Sequence, residues 1–556
     1  MRALFLALVC LFAGGFPASQ ASEASLKVAA VHFKPDLGDV ASNRERLLAL
    51  NEKAAKAGAK IIVNTEMATS GYALFSRAEI AAVAETIPGV TTEAFGQLAK
   101  RHAAYIVIGL PEFDTATNQY FNSAVLIGPD GEVAGTYRKR NTLIEASYNA
   151  VAGGPIPTVD TPYGRIAVVI CADLFYPHFA RLAAVSGADI LLAPANTGVD
   201  LDFLAQRARE NDIALIVSNR YGKERQGNEA DVFSEDTFAI PSPWPYDFSF
   251  GSLSAVVEHD GSVVSHWTDS SDGVVLGEIS PSEERVFPIL RRPELYSTLN
   301  QDTLESYTFS KLGLPEPMVG LLGAMDLGGQ ADEISELVSA ADDAVAKAAS
   351  EQRKLNLLVL APGSYASDDE AFLKSVDALA ERTRVDLVIP FEGTSADPRP
   401  TSMMFTVEGG SVNRHRYVRT HRLRNENIGL GDDFLIVDRP YGRVAILHGA
   451  DLLAPETTMV MAKLGVDIAA VSADLPPDGL TSLWRTRSND YLTVVVANRS
   501  GDEGIFLGYY PANAPRELVG EGLNLMSSDS GQTRNKKEPR HVDTSPLLLA
   551  CSASIC

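Results

Sequence analysis

Three side chains in the first third of the chain could act together on one bond: Glu66, Lys139 and Cys171. A thiolate can add to an electrophilic carbon and hold it covalently. A carboxylate can take the thiol proton as general base, and an ammonium can stabilise the oxyanion that then forms. Free cysteine has a pKa of about 8.5 and is mostly thiol at neutral pH, so it needs such a base. A lone buried cysteine is ordinarily an inert small hydrophobe, and the surroundings have to make the case for more. Cys171 ends the apolar, β-branched run 166–170, and Glu66 ends the run Ile61-Ile62-Val63-Asn64-Thr65. A surface carboxylate is not expected at the end of an apolar strand. Lys139 stands between Arg138 and Arg140, where a solvated basic hairpin is the competing reading.

The elements that must position these groups read as short apolar runs alternating with amphipathic stretches. Residues 28–31, 61–63, 105–109 and 166–170 have strand character, and 41–57 and 94–103 have helical spacing. Pro129-Asp130-Gly131 marks a hairpin between 121–128 and 131–138. This order predicts an α/β fold with a mixed sheet.

The chain also repeats itself. The stretch from Val159 through Pro162-Tyr163-Gly164-Arg165 to Ala167 recurs from Val437 through Pro440-Tyr441-Gly442-Arg443 to Ala445. In the same register Ala172-Asp173-Leu174 meets Ala450-Asp451-Leu452, and Pro177 meets Pro455. Arg207 and Arg209 meet Arg485 and Arg487, and Asn219-Arg220 meets Asn498-Arg499 one inserted residue later. Several blocks at one offset imply two copies of one domain, roughly 26–309 and 317–515. Cys171 falls opposite Gly449, Glu66 falls opposite Pro362, and no lysine occurs between Lys374 and Lys463. Joint loss of the three types marks them as a unit in the first copy.

The motifs around them resemble the nitrilase, or carbon–nitrogen hydrolase, superfamily. They are Asn64-Thr65-Glu66-Met67 with Ser70-Gly71-Tyr72, Tyr137-Arg138-Lys139, and Ile170-Cys171-Ala172-Asp173 leading to Pro177. Asn122-Ser123-Ala124, Asn219-Arg220-Tyr221-Gly222 with Glu224, and Arg291-Arg292-Pro293-Glu294-Leu295-Tyr296 support the likeness. Residues 137–141 with Glu145 are similar to the exported biotinidase and vanin branch. The resemblance implies two tandem α-β-β-α sandwiches, the first catalytic and the second a pseudo-enzyme. It implies Cys171 as nucleophile, Glu66 as base, and Lys139 with the Ala172 backbone N–H as oxyanion donors. Glu145 would support the lysine, and Tyr72 and Asn196 would line the substrate site. The expected reaction is hydrolysis of a linear, non-peptide amide to an acid and an amine or ammonia. Nitrile or carbamoyl hydrolysis and N-acyl transfer use the same residues, and a binding module without turnover is the alternative from another class. Two departures bear on the substrate: His178 stands where a Glu commonly follows the motif's proline, and Asn196-Thr197-Gly198 lacks the usual aromatic.

Composition bounds the setting. Seventy-one Asp and Glu against 48 Lys and Arg give a net charge of −23, which repels phosphate backbones and anionic lipid and argues against nucleic acid as a partner. Met1-Arg2, an apolar run 3–16 and small residues up to Ala21 read as a secretory signal peptide, too short to span a bilayer. The expectation is export to the periplasm or medium, with no membrane association after cleavage. Of four cysteines, Cys10 leaves with the signal, and Cys551 and Cys556 either close a small loop or stay unpaired. Nine histidines form no metal-binding spacing, so neither a metal nor a cofactor is expected. The expected domains are 1–21 signal, 22–315 catalytic, 316–515 degenerate and 516–556 tail. The resemblance further implies a monomer, its copies packed as an internal pseudo-dimer across helices at 179–186 and 457–464, with Phe179, Leu182 and Val185 facing Met459, Val460 and Met461.

Overall fold

The computed structural model of the chain describes residues 25–74, 76–142, 155–224, 248–249, 251–280, 285–300, 320–325, 334–350, 352, 354–363, 369–392, 399–475, 483, 487, 493–499, 504–506 and 547–552. The expected signal segment, Glu145 and Cys556 lie outside them.

In the first half, one six-stranded sheet runs in the order Gly273–Ile279, Leu26–His32, Ile61–Val63, Tyr105–Asp114, Gln119–Ile127, Val133–Arg138. A second runs Val263–Trp267, Ser254–Val257, Ala214–Asn219, Ile190–Ala195, Gly164–Val168, Thr158–Thr161. Successive strand side chains point to opposite faces, and both faces here are covered. Val28, Ala30, Ile61 and Val63 enter a core shared with Ile166, Val168 and Leu191 of the second sheet. Their neighbours Ala29, Val31 and Ile62 pack outward against Leu47, Phe95 and Leu98 of two helices, Val40–Lys56 and Val90–His102. That is why these strands read as unbroken apolar runs. Asp39 caps the first helix, accepting from Ser42 N at 3.1 Å, and Lys53 and Lys56 suit its C-terminal dipole. Helices Pro177–Val185 and Leu201–Arg209 belong to the second sheet's outer side, so the half is an α-β-β-α sandwich.

The second half repeats this order. Its sheets run Ser411–Val418, Thr401–Glu408, Asp386–Phe391, Leu355–Leu360, Gly320–Met325, Leu547–Ser552, and Leu435–Arg439, Gly442–His448, Ile468–Ala473, Thr493–Asn498, Gly504–Phe506. Leu357 and Val359 face the core between the sheets, whereas Leu358 and Leu360 face the helices Ile334–Ser350 and Glu370–Thr383. The fold is therefore two tandem sandwiches.

Three expectations need correction. Residues 516–556 are not wholly a tail: Leu547–Ser552 pairs antiparallel with Gly320–Met325, as Gly273–Ile279 pairs with Leu26–His32 in the first half. The first strand of each sandwich needs a partner on its outer side, and the chain returns to supply it. Nor does packing change hands at 315: Leu295 and Tyr296 already lie in the second half's core, where the Tyr296 hydroxyl meets His421 Nε2 at 2.8 Å. The helices Pro177–Val185 and Pro455–Lys463 do lie against each other. Yet of the apolar residues expected in that contact, Leu182 and Val185 stay 44% and 41% exposed. Phe179, Met459, Val460 and Met461 are buried. An ion pair runs across instead, Arg181 Nε to Glu456 Oε1 at 3.3 Å, with both side chains buried. No helix among the described residues is long and apolar enough to cross a membrane.

Candidate active site

Parallel strands deliver the three expected groups to one end of the first sandwich. Glu66 follows Ile61–Val63, and the next residue, Met67, takes a left-handed φ of +49°. Lys139 follows Val133–Arg138 and is tied back by its amide to Asn122 O at 2.8 Å. Cys171 opens the short 3-10 turn Cys171–Leu174 after Gly164–Val168, at φ +50°. A non-glycine residue there stores roughly 1–3 kcal/mol of strain, which the surrounding packing must hold.

Glu66 and Lys139 are fully buried and paired, Nζ to Oε1 at 2.8 Å. The same Oε1 accepts from Asn122 Nδ2 at 2.7 Å, and the Cys171 thiol lies near enough to this carboxylate to feel its charge. The hairpin reading of Lys139 is thereby excluded. Burial first, and then the Glu66 charge, push the thiol well above its ordinary range; Lys139 and the Asn196 backbone pull the other way. Burial and the Glu66 charge thus both favour the protonated thiol. The Tyr72 ring lies 5.2 Å from Lys139 Nζ. Ala172 is the second residue of the turn, and its carbonyl accepts from Phe175 N at 3.1 Å. Asn196 follows the strand beside Cys171 and is buried, and neither polar atom of its side-chain amide has a hydrogen-bond partner among the described residues. Glu145 is not among those residues.

A model of the carbon–nitrogen hydrolase family matches residues 27–288. A nitrilase of Pyrococcus abyssi is 33% identical over 204 residues, 36% of this chain and 77% of its own. The chain belongs to the carbon–nitrogen hydrolase family. A probable nitrilase of Schizosaccharomyces pombe is 26% identical over 288 residues, 49% of this chain and 97% of its own. An omega-amidase of Homo sapiens is 28% identical over 216 residues, 36% and 76%. Among solved structures, an amidase from Nesterenkonia sp. AN1 is 19% identical and matches 47% of this chain and 92% of its own, with a TM-score of 0.38.

This carbon–nitrogen hydrolase carries supports whose roles were not read from the sequence. Asp173 binds the Cys171 turn to the Lys139 loop: it accepts from Tyr137 Oη at 2.7 Å, Asn141 N at 2.9 Å and Ile170 N at 3.2 Å. Glu224 accepts from the backbone N–H of Tyr72 at 3.0 Å and of Ala73 at 2.7 Å, and is ion-paired with Arg220. It fixes the loop after Glu66 that carries Tyr72 over the lysine. Gly71 sits between them at φ +82°, where a Cβ would stand 2.7 Å from the Glu224 carboxylate. Asn122 and Glu224 stood in recognisable blocks, but a block does not say which atom its residue will reach. Among the described residues no group of His, Cys, Asp and Glu is arranged to hold a metal.

Proposed function

We propose that the first half hydrolyses a linear, non-peptide amide through a thioester on Cys171. The observation that carries this reading is the buried Glu66–Lys139 ion pair set against a thiol in a strained turn. Sγ attacks the amide carbon while Glu66 takes the thiol proton, and the new oxyanion lies between Lys139 Nζ and the Ala172 N–H. Collapse breaks the C–N bond, and Glu66 returns the proton to the leaving amine. Glu66 then deprotonates a water that attacks the thioester, and acid and thiol are released. The unpartnered Asn196 amide suits one face of a polar amide substrate, and Tyr72 lines the other side of the lysine. The relative named as an omega-amidase supports an amide substrate, and those named as nitrilases make nitriles the second class to test. Release of ammonia or amine from an amide and nitrile panel, with Cys171→Ala as the blank, tests this. Mass spectrometry of the stalled enzyme should show an acyl group on Cys171. Nitrile turnover without amide turnover would overturn the substrate class.

The reading includes export and a monomeric state. The n-region, apolar run and Ala21 support export, so N-terminal sequencing of the mature form should begin near Ser22. The internal helix contact supports a monomer, since each half already covers the other's face.

A further inference from the structure

A chain of buried charges runs from the nucleophile turn of the first half into the second. Phe175 closes the turn Cys171–Leu174, and its carbonyl accepts from Arg207 Nη2 at 2.9 Å. Arg207 Nη1 meets Glu210 Oε1 at 2.5 Å. The other oxygen of that carboxylate, Oε2, lies 2.8 Å from Nη2 of Arg487, which belongs to the second half. Arg487 Nε in turn donates to Leu452 O at 2.9 Å, the last residue of the second half's own turn Gly449–Leu452. All three charged side chains are fully buried in these pairs. The repeat register matched Arg487 with Arg209, but by its contact Arg487 resembles Arg207: each donates to a carbonyl at the end of its half's turn, Leu452 in the second and Phe175, one residue further on, in the first.

We infer that Arg487 is a positioning residue for the active site of the first half, acting through Glu210 and Arg207 on the turn that presents Cys171 and the Ala172 N–H. The inference rests on the proposed cysteine chemistry. The physical argument is how Glu210 divides its oxygens. One arginine on each keeps the carboxylate astride the interface and leaves Arg207 Nη2 directed at Phe175 O. Without Arg487, a buried carboxylate with one vacant oxygen draws both Nη groups of Arg207 into a bidentate pair. The Phe175 carbonyl then loses its anchor, and the turn can relax from the left-handed conformation at Cys171. Shifts of about 1 Å at a reacting group can cost on the order of 10²-fold in rate. The degenerate half is retained, on this view, because it completes the other half's nucleophile turn.

The test uses the full chain with Arg487→Met, which keeps length without charge, and Arg487→Lys, which keeps charge without the fork. Glu456→Gln is the control, because it removes the Arg181 and Arg291 pairs at the same interface while the Arg207–Glu210–Arg487 contacts keep their partners. Three quantities are measured: kcat and KM on the best amide, the rate of Cys171 alkylation by iodoacetamide, and Tm. Arg487→Met should lower kcat about tenfold or more, with KM within about twofold, and change the alkylation rate several-fold. Arg487→Lys should fall between it and wild type. Glu456→Gln should lower Tm and leave kcat and alkylation near wild type. Alkylation needs no turnover, so it reads the turn even if the substrate class is wrong. The inference is overturned if Arg487→Met, or Arg487→Lys where the former does not fold, keeps both rates within twofold. It is equally overturned if Glu456→Gln lowers kcat as much, for then the arginine only docks the halves.

Discussion

The strand before the nucleophile ends differently in the two halves. At Cys171 the backbone turns through φ +50°, and the turn that follows is 3-10. At the matching Gly449, where a left-handed residue would meet no steric penalty, φ is not in that region and the chain enters a short α-helix. Strain is held at the cysteine proposed as nucleophile and is absent where it would come without penalty. The neighbours changed with it. Pro362 stands opposite Glu66, and a cation is kept as Arg419, two residues after Tyr417 as Lys139 is after Tyr137. Arg419 is committed elsewhere, donating through Nε to His421 O at 2.6 Å and forming a two-pronged pair with Glu426. A cavity of about 240 Å³ remains there, lined by Pro362, Arg419, Glu426, His448 and Gly449 among others. What both halves share is the frame: Tyr417 Oη donates to Asp451 at 2.9 Å as Tyr137 Oη does to Asp173 at 2.7 Å.

The comparison breaks most visibly if chemistry can be moved between the halves. Cys171→Ala and Glu66→Gln should each reduce turnover by roughly 10³-fold or more, and the double variant should be little worse, because the residues act as a unit. Lys139→Ala should lose about 10²–10³ in rate. It should also destabilise the fold by roughly 3–5 kcal/mol, since it strands the buried Glu66 carboxylate. Adding Gly449→Cys to Cys171→Ala should recover nothing. Its thiol would have no counterpart of Glu66, since Pro362 stands there and the nearby Glu426 is paired with Arg419, and it would have no available ammonium and no left-handed turn; a Cβ there also stands 3.1 Å from Ala473 Cβ. Turnover above background in that double variant, measured as ammonia release, would show that the second half lost less than its geometry indicates.

A finer separation comes from the shared frame. Tyr137→Phe and Tyr417→Phe each remove a buried hydrogen bond to an aspartate, which should lower stability by about 1–3 kcal/mol in either half. Only Tyr137→Phe should also lower kcat, because Asp173 ties the nucleophile turn to the lysine loop whereas Asp451 ties two segments with nothing to align. Denaturation midpoints and kcat on the same preparations check this. Equal kcat losses would mean that Asp451 reaches the active site across the interface.

How much of this was legible follows the range of each interaction. The strands, the doubling of the chain and the trio could be read because apolar runs and residue types are local and because the repeat supplied its own comparison, whereas the sandwich architecture came from the family resemblance. The strand Leu547–Ser552 was missed because the register had ended before it, and its pairing with Gly320–Met325 spans more than 200 residues. The loss of lysine was seen, but Arg419 at that place was not, because equivalence there is set by the Tyr417–Asp451 contact. The buried chain through Glu210 was invisible for the same reason: Arg487 is far from Glu210 in sequence, and an arginine in a helical stretch reads as surface. Side-chain reach across an interface has no periodicity.

The smallest expected effect concerns the face between the halves. The family resemblance and their apolar character put Leu182 and Val185 in the expected helix contact, and both belong to a helix whose hydrophobic side also holds Phe179, Ala180 and Ala183. The structure separates them: Phe179, Ala180 and Ala183 are buried, whereas Leu182 and Val185, three residues apart and so on one helical stripe, stay at 44% and 41% exposure. Arg181, on the adjoining stripe, turns inward to Glu456 and stacks 4.5 Å from the Phe287 ring. If charge at the centre rather than apolar area holds the halves together, Leu182→Ser with Val185→Ser should change stability by no more than about 0.5 kcal/mol per site, as exposed substitutions do. Kinetics should not move. Arg181→Met should cost more, because it leaves Glu456 buried with only the partly exposed Arg291, 3.0 Å away, as a cation. Chemical denaturation of the three proteins, with sedimentation to follow their mass, decides between the two pictures. A loss of several kcal/mol or a shift to dimers in the double serine variant would restore those side chains to an interface, one used by a second copy of the chain rather than by its own second half.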